Sequence, residues 1–415
     1  MTDLIRSWVE TANSSESQFP LNNLPFGVFS ANDTPRCAVA IGDSVLDLSM
    51  LQTAGLLPNC GFEEPALNTF MELGKQTWDD VRNKLTDLLL EGNQTEQVSA
   101  ALHEASDVTM HMPFRVEEFT DFYASRQHAF NVGSIFRDPE NALPPNWLHI
   151  PIGYNGRASS VVVSGTDIHR PLGQMKGPQD DVPHFGPCKR LDIELEMGAI
   201  VGKPSLMGQP VSVDEADDMI FGYVILNDWS ARDIQAWEYQ PLGPFQAKAF
   251  ATTISPWVVT KAALEPFRCD TPPREKELLP YIKDTGPMLY DINLSASLAV
   301  EEGQETVISQ TNYNTMYYSA AQQLAHHSSS GCAMRVGDLL GSGTISGAEK
   351  SAYGSMLEMT VGGKEEIKLT DGQTRKFIED GDTLILKGHS QGNGYRIGFG
   401  SCVGRILPSP DSVSD

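Results

Sequence analysis

From about Val116 the chain becomes a long series of short β-type runs punctuated by Gly and Pro: SSVVVSG, LDIELEMGAIVG, MIFGYVILND, TTISPWVVT, DINLSASLAV, SMLEMTVGG, DTLILKG and YRIGFGSCVG. Strands at this spacing, with few helices between them, predict a large mixed β fold and argue against a doubly wound α/β sheet. Residues 1–115 have a different texture. There FGVF and then CAVAIGDSVLDLSML, with a Gly-Asp turn at 42–43, predict short antiparallel strands, and residues 64–105 predict mostly helix. The expectation is a mainly β (α+β) protein of two domains: a structural N-terminal domain at 1–115 and a domain at 116–415 that carries the chemistry. Pro-rich stretches near 139–151, 171–187 and 265–280 predict ordered surface loops.

Charge narrows the partners. Lys plus Arg number 30 against 54 Asp plus Glu, a formal net charge of −24, which excludes nucleic acid as a charge-driven partner. The acidic excess has two readings: a solvated surface that keeps the protein soluble, or a few carboxylates turned inward around a cation. The longest apolar runs fall far short of the ~18 residues that span a bilayer, so no membrane partner is expected. The opening MTDLIRSWVE puts Asp3 and Arg6 where a signal peptide needs an apolar run. Six scattered cysteines without a C-x-x-C pair suit reduced thiols, and with the missing signal they predict a cytoplasmic location.

Four segments hold candidate chemistry. In LDIELEMGAIVG, Asp192, Glu194 and Glu196 alternate with apolar residues, so on a strand they share one face; alone this also fits a solvent-facing strand. In MIFGYVILNDWSARDIQAWEYQPLGPF, Asp228 sits just past an apolar strand over 220–226. Ser230 with Asp233 resembles a capping box, and Arg232, Gln235 and Tyr239 share a helix face until Pro241 and Gly243 stop it. In EEFTDFYASRQHAFNVGSIFRD, Asp121 precedes a helix-like run ending near Gly133. If Asp121 and His128 were both helical they would share a face about 10 Å apart, the size of a small substrate. Lys248, Thr252, Thr344 in GSGTISG and Glu358 in YGSMLEM complete the candidates, while His326 and His327 suit the C-terminal end of a helix. Several carboxylates brought together would protonate unless a cation held them, and all-oxygen ligation suits Ca²⁺ or Mg²⁺. Spacing alone leaves open whether these segments meet.

In order and spacing, DFYASRQHAFNVGSIFR, NWLHIPIGYNGRASS, LDIELEM, NDWSARDIQAWEYQPLGPF, GDLLGSGTISG, GSMLE, GQTRKF and GYRIGFG resemble the fumarylacetoacetate hydrolase family in its two-domain form. The resemblance implies a small SH3-like N-terminal barrel, a large β-roll domain and a homodimer. It implies hydrolysis of the carbon–carbon bond of a dicarboxylate β-diketone, 4-fumarylacetoacetate, to fumarate and acetoacetate in tyrosine and phenylalanine breakdown. By the same resemblance Asp121, Glu194, Glu196 and Asp228 hold Ca²⁺ or Mg²⁺, and His128, oriented by Glu358, activates water. Arg232, Gln235 and Lys248 stabilise the leaving enolate; Tyr123, Arg137, Tyr154, Gln235, Tyr239 and Thr344 bind substrate. A second cation, Mg²⁺, is implied around Asp228, Lys248 and Thr252, although a protonated Lys248 has no lone pair to give. Asn155 departs from the histidine expected there. The alternatives are another diketone or acylpyruvate hydrolase or an oxaloacetate decarboxylase of the same superfamily, and a non-catalytic Ca²⁺-binding scaffold. The scaffold would need neither His128 nor Glu358.

Overall fold

The computed structural model describes residues 3–32, 34–137, 139–300 and 303–410. The strands Phe26–Ser30, Arg36–Ile41 and Ser44–Asp47 follow one another antiparallel. Gly42 takes φ +58 in the tight connection between the last two, a conformation that favours glycine. Leu102–Glu104 and Thr109–His111 complete a five-stranded antiparallel sheet. The helix Lys75–Leu89 covers it, burying Trp78, Val81, Leu85 and Leu89 at helical spacing. One expectation needs correcting. The end of CAVAIGDSVLDLSML is the helix Leu48–Thr53, because Asp47 Oδ1 accepts the Met50 N–H at 3.0 Å and caps it. The stretch expected to be mostly helical holds the helices Asn68–Glu72, Lys75–Leu89 and Glu96–Ser99 and closes in the strand Leu102–Glu104.

The larger part is built on a mixed eight-stranded sheet whose main path runs Gly153–Asn155, Phe119–Phe122, Leu339–Gly341, Leu195–Val201, Ile220–Asp228, Thr252–Ile254, Val161–Val163. Every residue of Leu195–Val201 and Ile220–Asp228 is buried, because both faces of this sheet are covered. Met197, Ala199, Tyr223 and Ile225 pack into the core shared with a second, five-stranded sheet that includes Asn293–Ala299, Thr383–Gln391 and Arg396–Leu407. Ile200, Val224 and Leu226 pack instead with Phe26, Phe70 and Trp78 of the N-terminal part. Burial on two sides explains why these strands read as nearly unbroken apolar runs.

Four local expectations fail. SMLEMTVGG is not a strand: Ser355 caps a single turn of helix, Met356–Met359, and Val361, Gly362 and Gly363 then turn the chain at φ 50, 70 and 84. The Pro-rich stretch near 171–187 contains a hairpin, Leu172–Met175 against His184–Pro187. Asp121 lies in the strand Phe119–Phe122, while the helix Arg126–Phe136 starts after its own cap, Ser125, and runs past Gly133; Asp121 and His128 therefore share no helix face. The capping box at Ser230 and Asp233 is absent. Ser230 Oγ donates to the Asp228 carbonyl, and Asp233 accepts from Lys189 N at 2.7 Å and from Cys188 Sγ. Among the described residues no helix is long and apolar enough to cross a membrane.

Candidate active site

Four neighbouring strands bring the acidic residues together. Asp121 pairs with Gly341 across a parallel ladder, Gly341 with Gly198, and Glu196 with Leu226. Glu194, just ahead of its strand, is tied to the end of the next, since its N–H donates to Asn227 Oδ1 and its carbonyl accepts from Asp228 N. Asp121, Glu194 and Asp228 each offer an oxygen within 4.8 Å of the others, and all three are buried. Gly341 makes the room. A Cβ there would lie 2.8 Å from Asp121 Oδ1 and 3.0 Å from Glu196 Oε2. Glu196 Oε2 accepts from Gly343 N at 2.9 Å, whereas Glu196 Oε1 and Asp121 Oδ1 lack hydrogen-bond partners of good geometry. Buried, oxygen-only and partly unpartnered, this donor set fits a hard divalent cation.

Electrostatics sort the carboxylates into two kinds. Burial first, then the neighbouring negative charges, push Asp121 and Glu196 well above the usual carboxylate range. Burial also raises Glu194, but Lys248 and Arg232 outweigh it and hold that group at about 2. Lys248 Nζ pairs with Glu194 Oε2 and lies 2.9 Å from Asp228 Oδ2. Arg232 Nη2 lies 2.8 Å from Glu194 Oε1. Burial lowers the Lys248 pKa, yet Asp228 and Glu194 lift it above the normal lysine value. These carboxylates favour the ammonium form of Lys248, whose side-chain nitrogen then has no lone pair to offer a second cation beside Asp228 and Thr252. Asp228 already accepts from Thr252 Oγ1 at 2.6 Å and Tyr154 OH at 3.0 Å, and Lys248 supplies the positive charge itself.

His128 is buried on the helix Arg126–Phe136, and its Nδ1 lies 2.6 Å from Glu358 Oε2. Glu358 also accepts from Asn131 Nδ2 at 2.8 Å, Ser346 Oγ at 2.9 Å and Ser355 Oγ at 2.8 Å. Burial pushes Glu358 up; its pairing with His128 and the hydrogen bonds from Asn131 and Ser355 more than offset it and hold the carboxyl below its usual range. An anionic carboxylate only accepts, so Nδ1 carries the proton and Nε2 is left to take one. The Tyr123 ring stands edge-on to His128, with centroids 5.3 Å apart.

On the Asp228 and Lys248 side of the carboxylate cluster lies a cavity of about 230 Å³, lined also by Tyr154, Asn155 and Phe245. Thr344 is buried and its hydroxyl unpartnered. Gln235 Oε1 accepts from Arg232 Nη1 at 3.1 Å. Tyr239 sits after the helix Arg232–Glu238 and is half exposed. Arg137 is also exposed, and its guanidinium already donates to the carbonyls of Asn141 and Ala142. The structure thus gathers the carboxylates, Lys248, Thr252, Arg232, His128, Glu358, Tyr123 and Tyr154 into one region, with Arg137 near Tyr123 and Tyr239 without a hydrogen bond to any of them. Asn131, Ser346 and Ser355 were not anticipated. Only Ser355 carried a local signal, the S-x-x-E spacing to Glu358.

A histidine held by a carboxylate, beside a buried oxygen-rich cluster that could hold a cation, is an arrangement suited to an enzyme of the hydrolase kind. Residues 118–407 match the family described as fumarylacetoacetate (FAA) hydrolase C-terminal, and residues 22–113 match fumarylacetoacetase N-terminal. The chain belongs to the fumarylacetoacetate hydrolase family and has its two-domain fold, mainly β with helices. It is 50% identical to the fumarylacetoacetase of Homo sapiens over 409 residues, 95% of this chain and 98% of that one. It is 47% identical to that of Arabidopsis thaliana over 422 residues, 98% and 99% of the two chains. In fold it is similar to a fumarylacetoacetate hydrolase from Exiguobacterium antarcticum (TM-score 0.53, 15% identity, 93% and 99% covered). A maleylpyruvate hydrolase from Sphingobium shares the fold likewise (TM-score 0.51, 15% identity, 93% and 100% covered).

Proposed function

We propose that this chain hydrolyses 4-fumarylacetoacetate to fumarate and acetoacetate, the last step of tyrosine and phenylalanine breakdown. The observation that carries the reading is the His128–Glu358 pair beside the buried carboxylate cluster, in a chain half identical to fumarylacetoacetases over nearly its whole length.

The chemical difficulty is the leaving group. Carbon–carbon hydrolysis expels a carbanion, so the electron pair must be received as an enolate. In our reading His128 Nε2 takes a proton from water while Glu358 holds the ring through Nδ1. The hydroxide adds to the carbonyl carbon on the fumaryl side, the carbon–carbon bond breaks, and its electron pair leaves with acetoacetate as an enolate that is then protonated. Arg232, Gln235 and Lys248 stabilise that developing charge; removing one donor of this kind typically costs about 3–4 kcal/mol in the transition state. When bound, the divalent cation, Ca²⁺ by preference and Mg²⁺ otherwise, supplies a Lewis acid and a fixed point for the diketone oxygens. Asp121, Glu194, Glu196 and Asp228 would hold it. Tyr123, Tyr154, Tyr239 and Thr344 offer hydroxyls to the substrate, and Arg137 a guanidinium suited to one of its carboxylates.

The same reading extends to the whole protein: an SH3-like barrel at 1–115, a β-roll domain at 116–415, a homodimer and a cytoplasmic location. The test of the activity is loss of the ultraviolet absorbance of fumarylacetoacetate with purified protein and Ca²⁺ or Mg²⁺. Turnover to fumarate and acetoacetate supports the proposal, and no turnover with either ion overturns it.

A further inference from the structure

Asp192 is fully buried, yet none of the roles proposed above uses it. Burying a carboxylate is costly unless donors replace its water, and Asp192 has four. Its Oδ1 accepts from Ile193 N and Met356 N, both at 2.8 Å; its Oδ2 accepts from Arg232 Nε at 2.8 Å and Leu357 N at 3.0 Å.

The donors come from two segments that each bear a reacting group. Met356 and Leu357 open the single helical turn Met356–Met359, whose third residue, Glu358, holds His128. Arg232 opens the helix Arg232–Glu238; with Nε on Asp192, its Nη1 reaches Gln235 and its Nη2 lies against Glu194. One carboxylate therefore fixes both the support of the base and the direction of the guanidinium. A residue serving packing alone would have no need to join these two.

We infer that Asp192 is a positioning residue that holds the His128–Glu358 pair and Arg232 in register, so that water attack and enolate stabilisation occur at a set separation. The inference rests on the roles proposed for His128 and Arg232. Misplacement of a reacting group by about 1 Å can lower a rate by ~10²-fold, and Asp192→Asn keeps the shape while removing the charge and half of the acceptors.

The experiment is a double-mutant cycle of Asp192→Asn with Arg232→Gln, measured as kcat and KM on fumarylacetoacetate. Expected is a fall in kcat of at least ~10-fold for Asp192→Asn with little change in KM, and a clearly smaller further loss when Arg232 is already replaced. A smaller fall, a loss confined to KM, or strictly additive losses would overturn the inference. Should Asp192→Asn not fold, Asp192→Glu enters the same cycle under the same criteria, since its extra methylene displaces both partners. Wild-type protein measured alongside separates the two levels: without wild-type turnover the proposed function itself fails, whereas wild-type turnover with an unaffected Asp192 variant fails this inference alone.

Discussion

His128 owes its orientation to Glu358, and Glu358 owes its charge to the donors around it. Asn131, Ser346 and Ser355 reach that carboxylate from a helix, a loop and a cap. His128→Ala is expected to lower kcat by about 10³-fold, within the range for losing a general base. Calorimetry should show Ca²⁺ bound as before, because the ring is not among the carboxylates of the cluster. Near-normal turnover would remove His128 as the base. Glu194→Gln should act in the opposite sense, weakening Ca²⁺ binding at least ~10-fold, and unchanged affinity by calorimetry would take Glu194 out of the ligand set. At this scale the sequence was legible unevenly. The alternation of Asp192, Glu194 and Glu196 singled out the segment from local pattern alone, but the single strand expected there is two, Leu191–Asp192 and Leu195–Val201, with Glu194 between them. The pairing of His128 with Glu358, 230 residues apart, came only through the family resemblance, and of its further donors only Ser355, three residues before Glu358, left a local signal.

Strand register, more than any helix, builds the site. Gly341 stands between Asp121 and Glu196 on neighbouring strands, and a methyl group placed there would meet carboxylate oxygens of both. Gly341→Ala should therefore weaken Ca²⁺ affinity by ~10–100-fold, the range typical of a disturbed support for metal ligands, with secondary structure by circular dichroism unchanged. Unaltered affinity would show that the cluster tolerates crowding. The long apolar strands were read correctly because burial on both faces leaves continuous runs. The short elements were misread for identifiable reasons. Ser355 capping its own turn turned SMLEMTVGG from strand to helix, and Asp121 follows the sheet and not the helix that Ser125 opens. In each case one local hydrogen bond or one long-range ladder outweighed the pattern of the run.

The two parts of the molecule are joined through the back of the catalytic sheet. Phe221 packs against Trp78, Phe70 and Phe26 with ring centroids 5.0, 5.9 and 6.0 Å apart, so the N-terminal part forms one wall of the core behind the carboxylates. Phe221→Ala should destabilise the protein by about 3–5 kcal/mol in urea unfolding followed by tryptophan fluorescence, and a change below about 1 kcal/mol would mean that this seam adds little. Sequence texture alone suggested a division near residue 115, while the packing across it stayed hidden because both faces of a buried strand look equally apolar. The net charge of −24 says little about function by itself; the burial of Asp121, Glu194, Glu196 and Asp228 says more. The central claim concerns where water goes, and oxygen labelling tests it most directly. Turnover of fumarylacetoacetate in ¹⁸O-water should place one labelled oxygen in a carboxylate of each fumarate released. Fumarate formed without the label, or no turnover at all, would contradict attack by a His128-activated water on the fumaryl carbonyl.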